Sequence, residues 1–282
     1  MQISLAYSVD ADDAFMFHAI SHGLVDTRGL AFSHRRGDTA WLNALASEGQ
    51  TDVVAISAGA YPGVAKDYLI LPHGASVGRG YGPVVVAKTP MALADLAGRR
   101  VAVPGLSTTA FLVLRLMQPQ VVPVVVPIVP FSAVFDALDR GEVEAALLIH
   151  EGRLIYEQRG YAKVGEVGEW WRAETGLPLP LGVNVIRRGL GLDVIGRVSK
   201  VLFDSIGYGL AHRDAIIQAI AAADRGDAAL ANGTLLDRYL GMYANEDTRA
   251  MSEDTRAGLV ALYGRAAAMG LLPPDVAIDF SP

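Results

Sequence analysis

Residues Val101 to Met117, VAVPGLSTTAFLVLRLM, decide how this chain folds. Val101 to Val103 read as a short apolar strand, Pro104-Gly105 as a turn, and Ser107-Thr108-Thr109 as the start of a helix whose apolar residues run to Met117. A strand that passes through a Pro-Gly turn into a hydroxyl-capped helix is most of a βαβ unit, and Val121 to Val126 supplies the second strand. The fold class is therefore α/β.

The same alternation extends in both directions. Toward the amino terminus lie a strand from Ile3 to Tyr7 and a helix capped by Asp12 or Asp13 that runs through Phe15, Phe17, Ala19 and Ile20 towards Gly23. Asp38 or Thr39 starts a helix ending near Gly49, Val53 to Ile56 is a strand stopping at Ser57, and strands Tyr68 to Leu71 and Pro83 to Ala87 flank the turn Gly78-Arg79-Gly80-Tyr81-Gly82. Toward the carboxyl terminus come helix Phe131 to Asp139, strand Ala145 to Ile149, a short helix Glu169 to Glu174 and strand Val183 to Arg187. From Leu192 the sequence is alanine-rich and helical, with breaks expected near His212, Gly226 and Gly241. This pattern predicts two α/β lobes, one formed by residues 1–88 and 188–282 and the other, 89–187, inserted in it. Bilobal solute-binding proteins are built this way and hold their ligand in the cleft between lobes.

Composition narrows the function. The 282 residues are 51% hydrophobic and 19% charged, enough apolar material for large buried sheets and too little charge for long disordered tails. A formal charge of −6, with Arg35-Arg36, Arg99-Arg100 and Arg187-Arg188 far apart in sequence, offers no basic face for nucleic acid. The apolar run Val121 to Phe131 is broken by three prolines and falls short of the roughly 20 residues of a membrane helix. The first residues, MQISLAYSVDADDAF, have no basic leader and meet Asp10, Asp12 and Asp13 too soon for a secretory signal. Without cysteine there is neither disulfide nor thiolate, and the expected location is cytoplasmic. The expected partner is a small molecule, with neither nucleic acid nor membrane.

Candidate chemistry gathers at strand ends. LLIHEGRLIY, Leu147 to Tyr156, ends an apolar strand and places His150 where α/β sheets keep ligands, as a general base or as a backbone-bonded strand cap. An imidazole titrates near pH 6.5, and burial in a closing cleft would keep it neutral. The helix start at Ser107-Thr108-Thr109 is an anion site or an ordinary cap, and Ser57 has the same geometry in the other lobe. Asp10, Asp12 and Asp13 could orient hydroxyls, bind a cation, or cap a helix. His18 and His22 share a helix face but have no third ligand, so no metal is expected. Gly78 to Gly82 misses the dinucleotide-loop spacing, and no nucleophile elbow, Walker or kinase signature occurs.

Four blocks, in order, resemble the 1,4-dihydroxy-6-naphthoate synthases of the futalosine route to menaquinone. They are VGRGYGPVVVAK from Val77, VAVPGLSTTAFLVL from Val101, LLIHEGRLIY from Leu147 and TGLPLPLGVNVIRRGLG from Thr175. FMFHAISHG from Phe15 and YAN at Tyr243 to Asn245 add weaker matches, so the resemblance covers nearly the whole chain. It implies a two-lobed, periplasmic-binding-protein-like fold of type II turned enzyme. The implied reaction is lyase cleavage of cyclic dehypoxanthine futalosine to 1,4-dihydroxy-6-naphthoate and dihydroxyacetone, with no cofactor. It further implies that His150 is the proton acceptor, that Thr108, Thr109 and Ala110 form one substrate-binding segment, that Ala55 to Ser57 form another, and that Asp13 belongs to the substrate site.

Two departures accompany the resemblance. The family's first loop reads close to SPCPNDTF and here reads SVDADDAF, so Asp10 and Asp12 replace a cysteine and an asparagine; Ala55 stands where the family commonly has lysine. Losing a cation and gaining acids weakens recognition of an anion unless Arg79, Arg153 or another basic group compensates. Two further readings fit the same motifs: a solute-binding protein that captures a small carboxylate without chemistry, and a divergent member with another substrate. The chorismate dehydratases share the fold, but the IHE and LPLPLG blocks resemble the synthase branch more closely.

Overall fold

A computed structural model describes residues 1–223 and 232–282, and within them the strands form two sheets. In chain order the strands are β1 (Gln2–Ser8), β2 (Ala31–Gly37), β3 (Val53–Ser57), β4 (Tyr68–Ile70), β5 (Ser76–Gly78), β6 (Val84–Ala87), β7 (Arg100–Val103), β8 (Val122–Val125), β9 (Ala145–Leu148), β10 (Ala162–Glu166) and β11 (Leu179–Arg187). The first sheet runs β2-β1-β3-β11-β4, with β5 also on β11, and the second runs β10-β6-β9-β7-β8. Both follow one plan. Three parallel strands, β2-β1-β3 or β8-β7-β9, are followed by an antiparallel strand, β11 or β6, and an outer neighbour.

The strand pairing differs from the division at 88/89 and 187/188. Val84–Ala87 pairs in the second sheet and Leu179–Arg187 in the first, so the chain crosses between sheets at 79–83 and 167–178. Both strands are largely apolar, and an apolar run does not say which sheet buries it. Two polar strands were not expected: β2, AFSHRRG, and β10, AKVGE, occupy the outer positions, where one edge and much of one face stay wet. Pro123, the one proline of the Val121 to Phe131 run that lies in a strand, follows the same logic. Val122 and Val126 donate to β7, so Pro123, between them, turns its missing N–H to the free edge of β8.

The helices are α1 (Ala11–Met16), α2 (His18–Ser21), α3 (Thr39–Ser47), α4 (Thr109–Met117), α5 (Ser132–Asp139), α6 (Gly152–Ile155), α7 (Val167–Thr175), α8 (Leu192–Ala211), α9 (Arg213–Ala222), α10 (Gly233–Tyr243), α11 (Glu246–Arg249) and α12 (Glu253–Ala268). The single helix expected after Asp12 is two, and its cap is Asp10, whose side chain accepts from the Asp13 N–H. Asp38 caps α3 and Thr108 caps α4. The break near His212 separates α8 from α9, Gly241 lies inside α10, and Gly226 is outside the described residues. Apolar side chains of α8, Ile195, Val198, Leu202 and Ile206, cover one face of the first sheet. Phe135 and Leu138 of α5 cover one face of the second. One further core is common to both, joining Val54, Ile56 and Val185 to Val85, Val101 and Leu147 around Trp171 and Tyr61. Among the described residues, no helix is long and apolar enough to cross a membrane.

Candidate active site

The carboxyl ends of the central strands meet at one cavity between the sheets. Ser8 ends β1, Ser57 ends β3, Thr108 follows β7 and His150 follows β9, and all four line a space of about 740 Å³, part of it open to solvent. Its lining, mostly apolar with a few convergent polar groups, suits a small-molecule ligand. Every residue selected from the sequence, His150, Ala55, Ser57, Thr108, Thr109, Ala110 and Asp13, lines it.

His150 is held on both nitrogens. Nδ1 lies 2.6 Å from Asp10 Oδ2 and Nε2 lies 3.1 Å from Thr39 Oγ1, while Phe131 packs edge-on against the ring at 6.3 Å. Its backbone adopts φ +51°, in the left-handed region that costs a non-glycine residue roughly 1–2 kcal/mol. Strain of that kind persists where surrounding contacts impose it, often at functional sites. Burial alone would lower the imidazole pKa. The bonded Asp10 carboxylate, reinforced by Asp12 and Glu151, overrides it and raises the pKa to about 9. The ring is therefore charged at neutral pH, which corrects the expectation of a neutral imidazole.

The three acids divide by environment. Burial would raise the Asp10 pKa, but the His150 charge and hydrogen bond hold it well below the usual range. Asp12 goes the other way, pushed far up by burial and by the charges of Asp10 and Asp13. It accepts from Ser76 Oγ at 2.7 Å and Tyr239 OH at 2.9 Å. Asp13, buried beside Asp10, rises to about 7 although the Ser8 N–H donates to it at 2.5 Å. One ion pair and two acids whose pKa values are pushed up toward the neutral form leave the pocket less negative than its sequence suggests. Asp10, Asp12 and His150 bring one polar atom each within 4.8 Å of the others, but those atoms are committed to the ion pair and to the Ser76 and Tyr239 hydroxyls.

At the α4 start the hydroxyls are already used. Thr108 Oγ1 donates to Gly105 O at 2.8 Å and caps Phe111, and Thr109 Oγ1 donates to Leu181 O at 2.6 Å. What α4 offers a ligand is its first amide N–H groups, at Thr109 and Ala110, together with the positive end of the helix dipole. Ser57 Oγ accepts from Asn43 Nδ2 at 3.2 Å, which leaves its proton for a ligand. Neither suggested substitute for the lysine stands free. Arg79 lies outside the cavity lining, bound to Asp247 and Asp254, and the Arg153 guanidinium is tied to Glu166 at 2.5 Å and Gly82 O at 2.6 Å.

Thr39, Ser76 and Tyr239 were missed. Tyr239 and Tyr243 both line the cavity from α10, and their i, i+4 spacing, which puts two aromatic rings on one helix face, was the available signal. Thr39 and Ser76 carry no such signal, since an isolated hydroxyl at an element start reads as a cap.

A family model described as Menaquinone biosynthesis matches residues 3–268. A Streptomyces coelicolor protein named 1,4-dihydroxy-6-naphtoate synthase is 36% identical over 275 residues, 96% of this chain and 95% of that one. The crystal structure of an Archaeoglobus fulgidus protein, 41% identical, superposes with a TM-score of 0.89 over 96% of this chain and 98% of that chain. An alkanesulfonate-binding protein from Xanthomonas axonopodis pv. citri superposes at 0.70 with 15% identity, covering 96% and 94%, and shares the periplasmic-binding-protein-like fold. Matched by the family model and by a relative of that identity over almost its whole length, the chain belongs to the menaquinone biosynthesis family.

Proposed function

We propose that this protein is a cytoplasmic carbon-carbon lyase that converts cyclic dehypoxanthine futalosine to 1,4-dihydroxy-6-naphthoate and dihydroxyacetone, without a cofactor. The observation that carries the reading is His150: a strained histidine at a strand end, fixed on both nitrogens, in the cavity where the expected substrate residues converge. The name of the Streptomyces relative supports the product.

In this reading the two sheets act as lobes that close over the substrate. The Thr109 and Ala110 amides and the Ser57 hydroxyl hold its oxygens, replacing water with oriented donors. His150 in its neutral form takes a hydroxyl proton through Nε2. The electron pair left on that oxygen forms a carbonyl, the adjacent carbon-carbon bond breaks, and its pair passes into the conjugated ring system. The imidazolium so formed is held by Asp10 and returns the proton to complete the products. General-base assistance of this kind contributes roughly 10² to 10⁴ in rate.

The experiment is incubation of purified protein with cyclic dehypoxanthine futalosine, with the naphthoate followed by mass spectrometry beside a His150→Ala variant. Product from the parent and a loss of about 100-fold or more in the variant are expected. A parent that binds the compound and releases no naphthoate would overturn the lyase in favour of a binding protein.

A further inference from the structure

We propose that Asp10 is the positioning residue of this site: its carboxylate, carried at the end of the first sheet, fixes the His150 ring, carried on the second, so that Nε2 faces Thr39 and the cavity while the sheets are apposed. The proposal rests on His150 being the proton acceptor. It assigns a task to a side chain that stands where the resembling family has cysteine.

Each Asp10 oxygen has a separate partner. Oδ1 accepts from the Asp13 N–H at 3.2 Å and Oδ2 meets His150 Nδ1 at 2.6 Å, while the Asp10 N–H donates to Ser8 Oγ at 3.4 Å. The carboxylate is thus oriented by its own turn before it meets the ring, and it is only 2% exposed. A second bond runs beside the first. Glu151 Oε1 accepts from the Ala11 N–H at 3.1 Å, so consecutive residues after β9 clasp consecutive residues after β1. The φ of +51° at His150 fits this double clasp, which gives the strained turn its compensating contacts.

A carboxylate on Nδ1–H fixes the tautomer whose lone pair lies on Nε2, and it stabilises the charge that forms when Nε2 accepts a proton. Both effects require Asp10 and His150 to be in contact, and the two residues follow strands of different sheets. Opening the cleft would separate them. The titratable groups facing the ring are Asp10, Asp12 and Asp13 from the α1 segment and Glu151 from its own turn; Tyr239 reaches Asp12 from α10, and Arg36 of β2 acts on Asp13.

The competing explanation is that Asp10 is only the α1 cap. Asn caps as well as Asp, so Asp10→Asn keeps the cap and removes the charge, and Asp10→Ser keeps a cap with no reach to the ring. The ring protons of His150 are titrated by NMR, assigned by comparison with His150→Ala, alongside kcat and KM. In the parent the ring titrates far above 6.5; in both variants it moves down by at least one pH unit, and kcat, compared on the alkaline plateau where the ring is neutral in all three proteins, falls about tenfold or more with KM changed less. Thermal melts confirm that at least one variant is folded. An unchanged His150 titration in a folded variant overturns the proposal. A parent that makes no naphthoate while the titration still moves sinks the lyase reading and leaves Asp10 positioning His150.

Discussion

Thr109 donates its hydroxyl to the carbonyl of Leu181 at 2.6 Å and accepts the Gly59 N–H at 2.9 Å. Thr109 opens α4 of the second sheet, whereas Leu181 lies on β11 and Gly59 follows β3, both of the first. One hydroxyl at the helix start therefore ties the two sheets together at the cavity. Asn43 makes a second tie, reaching Ser57 on one side and Ser107 Oγ, at 3.1 Å, on the other.

Replacing Thr109 by valine keeps the shape and leaves a half-buried carbonyl and a half-buried N–H without their partner, so Thr109→Val should cost about 0.5–1.5 kcal/mol of stability for each bond. Urea unfolding followed by circular dichroism reads this as a lower midpoint at unchanged slope. A midpoint equal to the parent's would mean that the hydroxyl ties nothing.

The crossing between sheets leaves no room for a side chain. A Cβ on Gly168 would lie 2.0 Å from the Tyr81 carbonyl oxygen, and one on Gly78 would lie 2.1 Å from the same atom. The obstacle is backbone and cannot swing aside. Gly168→Ala and Gly78→Ala should each destabilise by about 1–3 kcal/mol or more. Gly264→Ala, on the exposed side of α12 with nothing within 4 Å, should instead stabilise by about 0.5–1 kcal/mol. Parallel melting curves check the contrast, and a neutral Gly168→Ala would show that the crossing segments move apart.

Apolar strands followed by capped helices were legible in the sequence because burial and capping are local, and Asp38 and Thr108 cap where expected. The sheet that receives β6 or β11 was not legible, because strand partners are chosen by contacts far along the chain. His150 and Ser57 followed from one topological rule, whereas Ala55, Ala110 and Asp13 were reached through the family resemblance. The charge state of His150 was misjudged because its partner, Asp10, is 140 residues away, and no spacing announces a contact across a cleft. The fates of Asp12 and Asp13 were hidden for the same reason: three acids in four residues look like solvated charge until the fold buries them together.

Asp13 should make stability depend on pH in a way that its amide would not. Its pKa rises from 3.8 to about 7 in the folded protein, because burial and the Asp10 charge favour the neutral acid. A carboxyl whose pKa is raised on folding supports the fold fully below its unfolded value and loses that support as pH climbs through the folded value. Between pH 4 and 8 the parent should therefore lose ground against Asp13→Asn, whose side chain cannot ionise. The difference in Tm between the two proteins should change in favour of the variant across this range, and a difference independent of pH would show that Asp13 titrates normally.

Activity and stability should respond oppositely to alkali at His150. Its pKa, raised from 6.5 to about 9 by Asp10 against the effect of burial, leaves most of the ring protonated at pH 7.5, and a protonated imidazole accepts nothing. On the acid limb kcat/KM should rise about tenfold per pH unit and level off near pH 9, since this ratio reports the free enzyme's essential base. Asp10 stays ionised throughout, its own pKa held far below this range by His150. Stability takes the other sign. A histidine whose pKa is raised on folding contributes its full stabilisation below 6.5 and loses it as pH rises through 9. The Tm difference between the parent and His150→Gln should shrink over that interval, while the parent's kcat/KM climbs. An acid limb centred at or below pH 6.5 would show that the Asp10 pair does not govern the reacting nitrogen.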